Sequence, residues 1–348
     1  MALNRYAVLA AAAGMIALSS APGYAREANI NLLTKPGVLI GASAGVPPPG
    51  VYMFNQVFTF QGNATGPGVN TVLGGNTHVG VQGAVDVQGF LFVPGWTFLG
   101  ATYDALVVQP FVMDSVGAAN GGLGPIPAVQ QSGMFNTYIV PGELAWMNIA
   151  NSGLAVKVGL GIYVPDGNVT GVFGTGSVGL PFWTFQPEII VSYLKDGWNL
   201  SAAVYEEINT RNTISNYRSG NILHADFTAT KTIGKWTLGP VAYYWGQVTD
   251  DSCSSLTCAY GPAGTLTSAQ RTDVWAVGGL LGYNFGPAAV SVWATQEVSA
   301  RAKNAAAVAA TGADFSLVPQ GLTVFGTLSY RLWGPDEEAK APAKLFTK

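Results

Sequence analysis

Along most of this chain apolar and polar residues take turns. In "LAVKVGLGIYV" the set Leu154, Val156, Val158, Leu160, Ile162 and Val164 is unbroken, while Ala155, Lys157, Gly159, Gly161 and Tyr163 fill the alternate positions. A period of two belongs to a strand with unlike faces. The stretch "SYLKDGWNLSAAVYEEINTRNT", 192–213, shows it again after a tight Lys-Asp-Gly turn: Trp198, Leu200, Ala202 and Val204 share one face, and Asn199, Ser201, Ala203, Tyr205 and Glu207 the other. In "THVGVQGAVDVQG", Val79, Val81, Val85 and Val87 oppose His78, Gln82, Asp86 and Gln88; in "LTVFGTLSYRLW", Leu322, Val324, Leu328, Tyr330 and Leu332 oppose Thr323, Thr327, Ser329 and Arg331. The pattern predicts twelve strands, at about 51–61, 77–92, 96–112, 142–150, 153–164, 183–194, 198–209, 222–232, 235–248, 273–285, 288–299 and 321–333. Pro240 interrupts the ninth, which reads as a bulge or barrel corner.

Composition turns this pattern into a membrane argument. Charged residues make up 10% of the chain, against roughly 25% in soluble domains, and the mean hydropathy is +0.29. Beyond the N-terminus no apolar run reaches the roughly 18 residues that a membrane helix needs. Backbone polar groups in hydrocarbon must be satisfied internally, so the remaining spanning architecture is a closed barrel with apolar residues outward and polar residues inward. A secreted β-sandwich also alternates, but most segments here have the nine or more residues of a tilted membrane strand. The expected fold is all-β: a transmembrane antiparallel up-and-down barrel of about twelve strands.

Connection lengths give the barrel a polarity. Short turns fall around Pro94, Asn151, Lys195, Ile233 and Gly286, and between them lie long segments rich in Gly, Ser, Asn and Pro, such as 114–142 and 165–181. Outer-membrane barrels place short turns in the periplasm and long loops outside. Trp96, Trp198 and Trp236 follow short turns and Trp333 closes the last strand, a spacing that predicts an aromatic girdle at the periplasmic rim. Residues 1–25, with Arg5 ahead of "AVLAAAAGMIAL" and small residues at Gly23 and Ala25, read as a signal peptide cleaved after Ala25. Residues 26–50 are expected to form a periplasmic segment or a partial plug, 51–333 the barrel, and 334–348 a polar tail. Without Arg5 there remain 15 basic and 19 acidic side chains, a net charge of about −4. That balance argues against a nucleic-acid partner.

The run 180–251, from "LPFWTFQPEIIVSYLKDGWNL" to "VAYYWGQVTDD", resembles the core of the outer-membrane family named for the meta-pathway of phenol degradation, and "PPPGVYMFNQVFTFQG" resembles that family's lead into its first strand. The resemblance implies a bacterial outer-membrane barrel that passes hydrophobic or aromatic compounds. It supplies no catalytic or binding residues.

Candidate chemistry is sparse. Alternation nominates Asp86, Asp104, Lys157, Glu188, Tyr205, Glu207, His224, Asp226, Thr228 and Arg331 as lumen-lining residues. His224 and Asp226 stand two apart on a strand, which does not build the base and orienter geometry of a hydrolase. The two histidines and two cysteines show no zinc-type spacing, so neither enzyme activity, metal nor cofactor is expected. Cys253 and Cys258, in an exported chain, read as a disulfide within a long loop. Twelve strands leave a narrow lumen. The expected function is a passive channel for small hydrophobic or aromatic molecules, with outer-membrane lipid and such solutes as partners; the alternative is a structural or surface-interaction barrel with an occluded lumen. Alternation does not fix the oligomeric state.

Overall fold

The computed structural model describes residues 33–69, 77–120, 124–169, 178–253, 271–305, 308, 309, 312–314, 316 and 318–335; of Ala64, residues 77–82 and 114–131, and Cys253, only the backbone is described. The expected signal peptide, the expected Cys253 to Cys258 disulfide and nearly all of the expected C-terminal tail lie outside the described residues.

Among them are the twelve strands of the barrel wall: β1 Gly50–Thr65, β2 Thr77–Val93, β3 Ala101–Asn120, β4 Tyr138–Ile149, β5 Leu154–Tyr163, β6 Thr184–Lys195, β7 Trp198–Asn209, β8 Ile222–Ile233, β9 Trp236–Gln247, β10 Arg271–Asn284, β11 Ala288–Lys303 and β12 Val318–Trp333. Each pairs antiparallel with its sequence neighbours, and β1 pairs with β12 from Val51↔Trp333 to Thr65↔Val318, so the sheet closes on itself. Closure pairs the first strand with the last, the condition for a sheet to stand in lipid.

The tight turns explain themselves locally. In the β6–β7 hairpin Asp196 and Gly197 both have positive φ, 53° and 78°, while Lys195 pairs with Trp198. Two successive left-handed residues match the right-handed twist of the flanking strands. A Cβ on Gly197 would lie 2.7 Å from the Thr232 carbonyl oxygen, so the neighbouring turn also requires glycine.

Outward faces are apolar and exposed: Leu200 and Trp198 on β7, Ile189 and Val191 on β6, Val277 and Leu281 on β10, and Leu322, Val324, Leu328 and Leu332 on β12. Trp96, Trp198, Trp236 and Trp333 are 43–63% exposed at the short-turn end, where Trp236 packs edge-on to Tyr283 and Trp96 lies against Tyr103. This is the aromatic belt of a membrane interface. Trp183 and Trp275 stand exposed at the opposite end.

Two features depart from the sequence pattern. Pro240 stands in a full wall strand. Pairing to β10 is continuous from Trp236 to Gly246, whereas pairing to β8 jumps from Thr228↔Val241 to Lys231↔Leu238, because proline has no N–H to donate. The segment 114–140 is not wholly a loop. Strand β3 continues to Asn120, and Gly124–Met134 folds back to pair with its upper half, covering an edge that would otherwise project unpaired.

Candidate functional site: the barrel interior and the segment threaded through it

The interior begins with strand phase. On β7, Ser201, Ala203, Tyr205, Glu207 and Asn209 are buried while their alternates are more exposed; on β8 the buried polar set is His224, Asp226, Thr228 and Thr230. Asp104 on β3 and Lys157 on β5 are 0% and 6% exposed, and Glu188 on β6 shares the inward phase of buried Gln186 and Ile190. These side chains do not meet open space. Residues 33–49 enter at the short-turn mouth and run up among them.

Each step of that segment is anchored by a wall residue. The Ala44 amide donates to Ser192 Oγ at 2.9 Å and the Gly41 amide to Thr228 Oγ1 at 2.9 Å. Asp226 takes two amides, Gly37 through Oδ1 at 3.0 Å and Leu39 through Oδ2 at 2.9 Å. Higher up, the Thr34 amide donates to Glu207 Oε1 at 2.9 Å, and its hydroxyl reaches Gln186 Oε1 at 2.7 Å and Tyr163 OH at 2.8 Å. From the opposite wall Trp293 Nε1 donates to the Gly37 carbonyl at 3.1 Å. The sequence "LTKPGVLIGASAG" suits this role. The segment winds through successive turns, with the amides of Val38, Ile40 and Ala42 donating to the carbonyls of Lys35, Gly37 and Leu39; the wall takes up other amides that must be satisfied, and Gly37 and Gly41, with φ of 86° and 87°, supply left-handed conformations that side-chain-bearing residues rarely adopt.

Apolar contacts complete the fit. Leu33 packs in a buried cluster with Val87, Val108, Phe135, Tyr138, Tyr163 and, from the loop before β6, Val178, Leu180 and Phe182. Ile40 joins a second cluster with Val241, Tyr243, Leu280, Trp293 and Phe325. Lys35 stands between them, its ammonium 4.4 Å from the Phe60 ring centre and 4.0 Å from Glu297 Oε1. Glu297 is further held by Tyr243 OH at 2.7 Å and the Gly321 amide at 2.8 Å.

A separate charge group sits nearer the short-turn end. Lys157 Nζ bridges Asp104 Oδ2 at 2.9 Å and Glu143 Oε2 at 3.0 Å, all three largely buried. Glu143 was missed by alternation because Pro141 and Gly142 break the ladder there: pairing of β4 to β5 jumps from Ile139↔Ile162 to Glu143↔Gly159. His224 Nε2 lies 3.2 Å from Glu207 Oε1, and its ring stacks on Tyr205 with centroids 4.7 Å apart. Glu207 of this pair is also the acceptor for the Thr34 amide, so it ties the segment to the wall.

Two nominated residues need correction. Asp86 does not face the lumen. Its cross-strand partners are Val57, 48% exposed, and Phe111, 43% exposed, so Asp86 and Gln88 share the outer face while Val85 and Val87 turn inward. The phase of β2 is reversed because the lumen there is filled by apolar Leu33 and its cluster, so this strand carries its valines inside. Arg331 has the inward phase but ends at the short-turn lip. There it is exposed, donates to the Pro49 carbonyl at 2.6 Å and lies over the Tyr52 ring.

Comparison with known proteins places this architecture. A family model described as "Putative MetA-pathway of phenol degradation" matches residues 61–313. The crystal structure of a COG4313 outer membrane channel from Pseudomonas putida F1 superposes with a TM-score of 0.59 at 12% identity, covering 85% of this chain and 99% of that one. The β-domain of the Bordetella autotransporter BrkA is a looser likeness, with TM-score 0.41, 12% identity, and coverage of 81% and 99%. The translocator domain of the autotransporter NalP from Neisseria meningitidis also scores 0.41, with 10% identity and coverage of 82% and 89%. No curated protein matches in sequence.

Proposed function

The chain belongs to the family described as "Putative MetA-pathway of phenol degradation", and we propose that this bacterial outer-membrane barrel is a passive channel for small hydrophobic or aromatic molecules. The observation that carries the reading is what fills the lumen. The wall side chains do not fill it by themselves; the segment that leads into β1 occupies the space between them, hydrogen-bonded at Asp226, Glu207, Thr228 and Ser192. Displacing residues 33–49 would open a path lined on one side by Tyr138, Tyr163, Tyr205 and Phe135 and on the other by Tyr243, Trp293 and Phe325. Aromatic rings with a few hydroxyl and carboxylate groups suit a flat solute carrying one polar substituent. A phenol has that shape and that chemistry.

The competing reading, a barrel permanently occluded by its own segment, is favoured by the two amides that Asp226 holds. Conductance separates the two. In planar bilayers a channel shows discrete openings whose current falls when phenol-type solutes, and not an aliphatic alcohol of similar size, enter the lumen. An occluded barrel shows no openings.

A further inference from the structure

The outer wall carries a polar patch where lipid should meet hydrocarbon side chains. Asn55 on β1, Gln88 on β2 and Gln109 on β3 form one row of direct cross-strand partners, and Asp86 lies two residues above Gln88 on the same face. The level is fixed by β12. Asp86 pairs with Val57, Val57 pairs with Gly326, and the exposed apolar residues of β12 run from Leu322 above to Leu332 below. A carboxylate therefore stands in the middle of the apolar belt, framed by exposed Val57, Phe90, Phe92, Val107 and Phe111. Polar side chains at this depth interrupt the apolar band that a barrel presents to lipid.

Internal bonding covers only part of the patch. Asn55 Nδ2 donates to Asp86 Oδ1 at 2.6 Å and Gln88 Nε2 reaches Asp86 Oδ2 at 3.5 Å. Each amide nitrogen keeps a second hydrogen, and among the described residues the amide oxygens of Asn55 and Gln88 accept no hydrogen bond. Gln109 is tied into the wall through Phe135 O and Thr137. The half-buried centre thus offers spare donors and spare acceptors within one small, ring-framed surface.

We propose that the β1–β3 face is a two-fold interface between two copies of this chain. An isologous contact brings the same patch against itself, so it must be self-complementary. This patch is: amide hydrogens of one copy meet amide oxygens and the Asp86 carboxylate of the other, and the Phe90, Phe92 and Phe111 rings close around them and keep lipid out. A phospholipid tail could satisfy none of these groups, and a lipid headgroup does not reach the middle of the belt. In a bilayer, polar groups on facing segments associate because the alternative is contact with hydrocarbon.

The test is the mass of the full-length protein by sedimentation in density-matched detergent and by native mass spectrometry from lipid nanodiscs, comparing wild type with the Asp86→Leu, Gln88→Leu double variant. The substitutions place apolar groups against lipid, so the barrel should fold, and heat-modifiable gel migration verifies that it does. The expected result is a wild-type dimer and a double variant whose dimer dissociates at least roughly tenfold more readily, a range typical of lost interfacial polar contacts, with Asp86→Asn intermediate. A monomeric wild type in both media would overturn the proposal, as would a folded double variant as dimeric as the wild type. If the double variant fails to fold, a Gln88→Cys crosslink between copies decides in its place: its absence in the bilayer overturns the interface.

Discussion

Asp226, in the middle of β8, accepts the backbone amide of Gly37 at 3.0 Å, joining residues 189 apart in sequence. With Leu39 on its second oxygen, this carboxylate is the strongest single hold on the segment inside the barrel. Hydrogen bonds to a charged acceptor contribute about 1.5–3 kcal/mol each. Asp226→Asn keeps one acceptor oxygen, removes the charge and should leave Leu39 or Gly37 unheld. The expected outcome is more frequent or larger channel openings and faster labelling of a cysteine placed at Ala42, with no loss of the folded barrel on a heat-modifiability gel.

Gly37 is the matching weak point on the segment side. Its φ of 86° is left-handed and a Cβ there would stand 2.9 Å from Tyr243 Cδ1. Gly37→Ala should cost the segment about 1–2 kcal/mol through backbone conformation and crowding together, and should speed proteolysis within 33–49 of the reconstituted protein while the barrel's thermal transition stays within a few degrees.

Leu33 closes the top of the segment against Phe182, Leu180 and Phe135. Leu33→Asp buries an unpaired charge in an apolar cluster, which the structure avoids by moving the segment out. Conductance should rise more than in Leu33→Ala, which leaves only a cavity.

Lys157 is a structural residue before it is a selectivity residue. Its removal leaves Asp104 and Glu143 buried side by side without a cation, and breaking a buried pair of this kind costs about 3–5 kcal/mol. Lys157→Ala should therefore lower the thermal transition clearly. The triple change Lys157→Met, Asp104→Asn, Glu143→Gln should recover most of the loss, measured by the same melting experiment.

Strand periodicity made the wall legible almost residue by residue. The β5 face bearing Lys157 follows from a period of two, because lipid on one side enforces apolar residues there, while the Lys195 to Trp198 turn and the girdle tryptophans follow from turn residues and connection lengths. Where the lumen is not watery, that logic inverts. Val85 and Val87 face inward because Leu33 and its neighbours make the local interior apolar, so the face of β2 that carries Asp86 is the outer one. Bulges hide phase in a second way. Near the long-loop end of β11, Val298 is an extra residue between Ala276↔Glu297 and Trp275↔Ser299, which turns Arg301 from the inward to the outward face, opposite Asp273. The hold on residues 33–49 is tertiary: Asp226 and Gly37 carry no sequence signal of each other, and only the closed barrel brings them together.

If solutes pass through this barrel once the segment yields, protein-dependent uptake into liposomes shows it most directly. The solutes are a phenol-type compound, an aliphatic compound and a small sugar, with leakage through empty liposomes subtracted, for the wild type and for a form lacking residues 33–46. The predicted result is uptake by the wild type that favours the aromatic solute, and uptake of all three by the deleted form. No uptake above empty liposomes by either protein, with both folded, would contradict passage through the lumen.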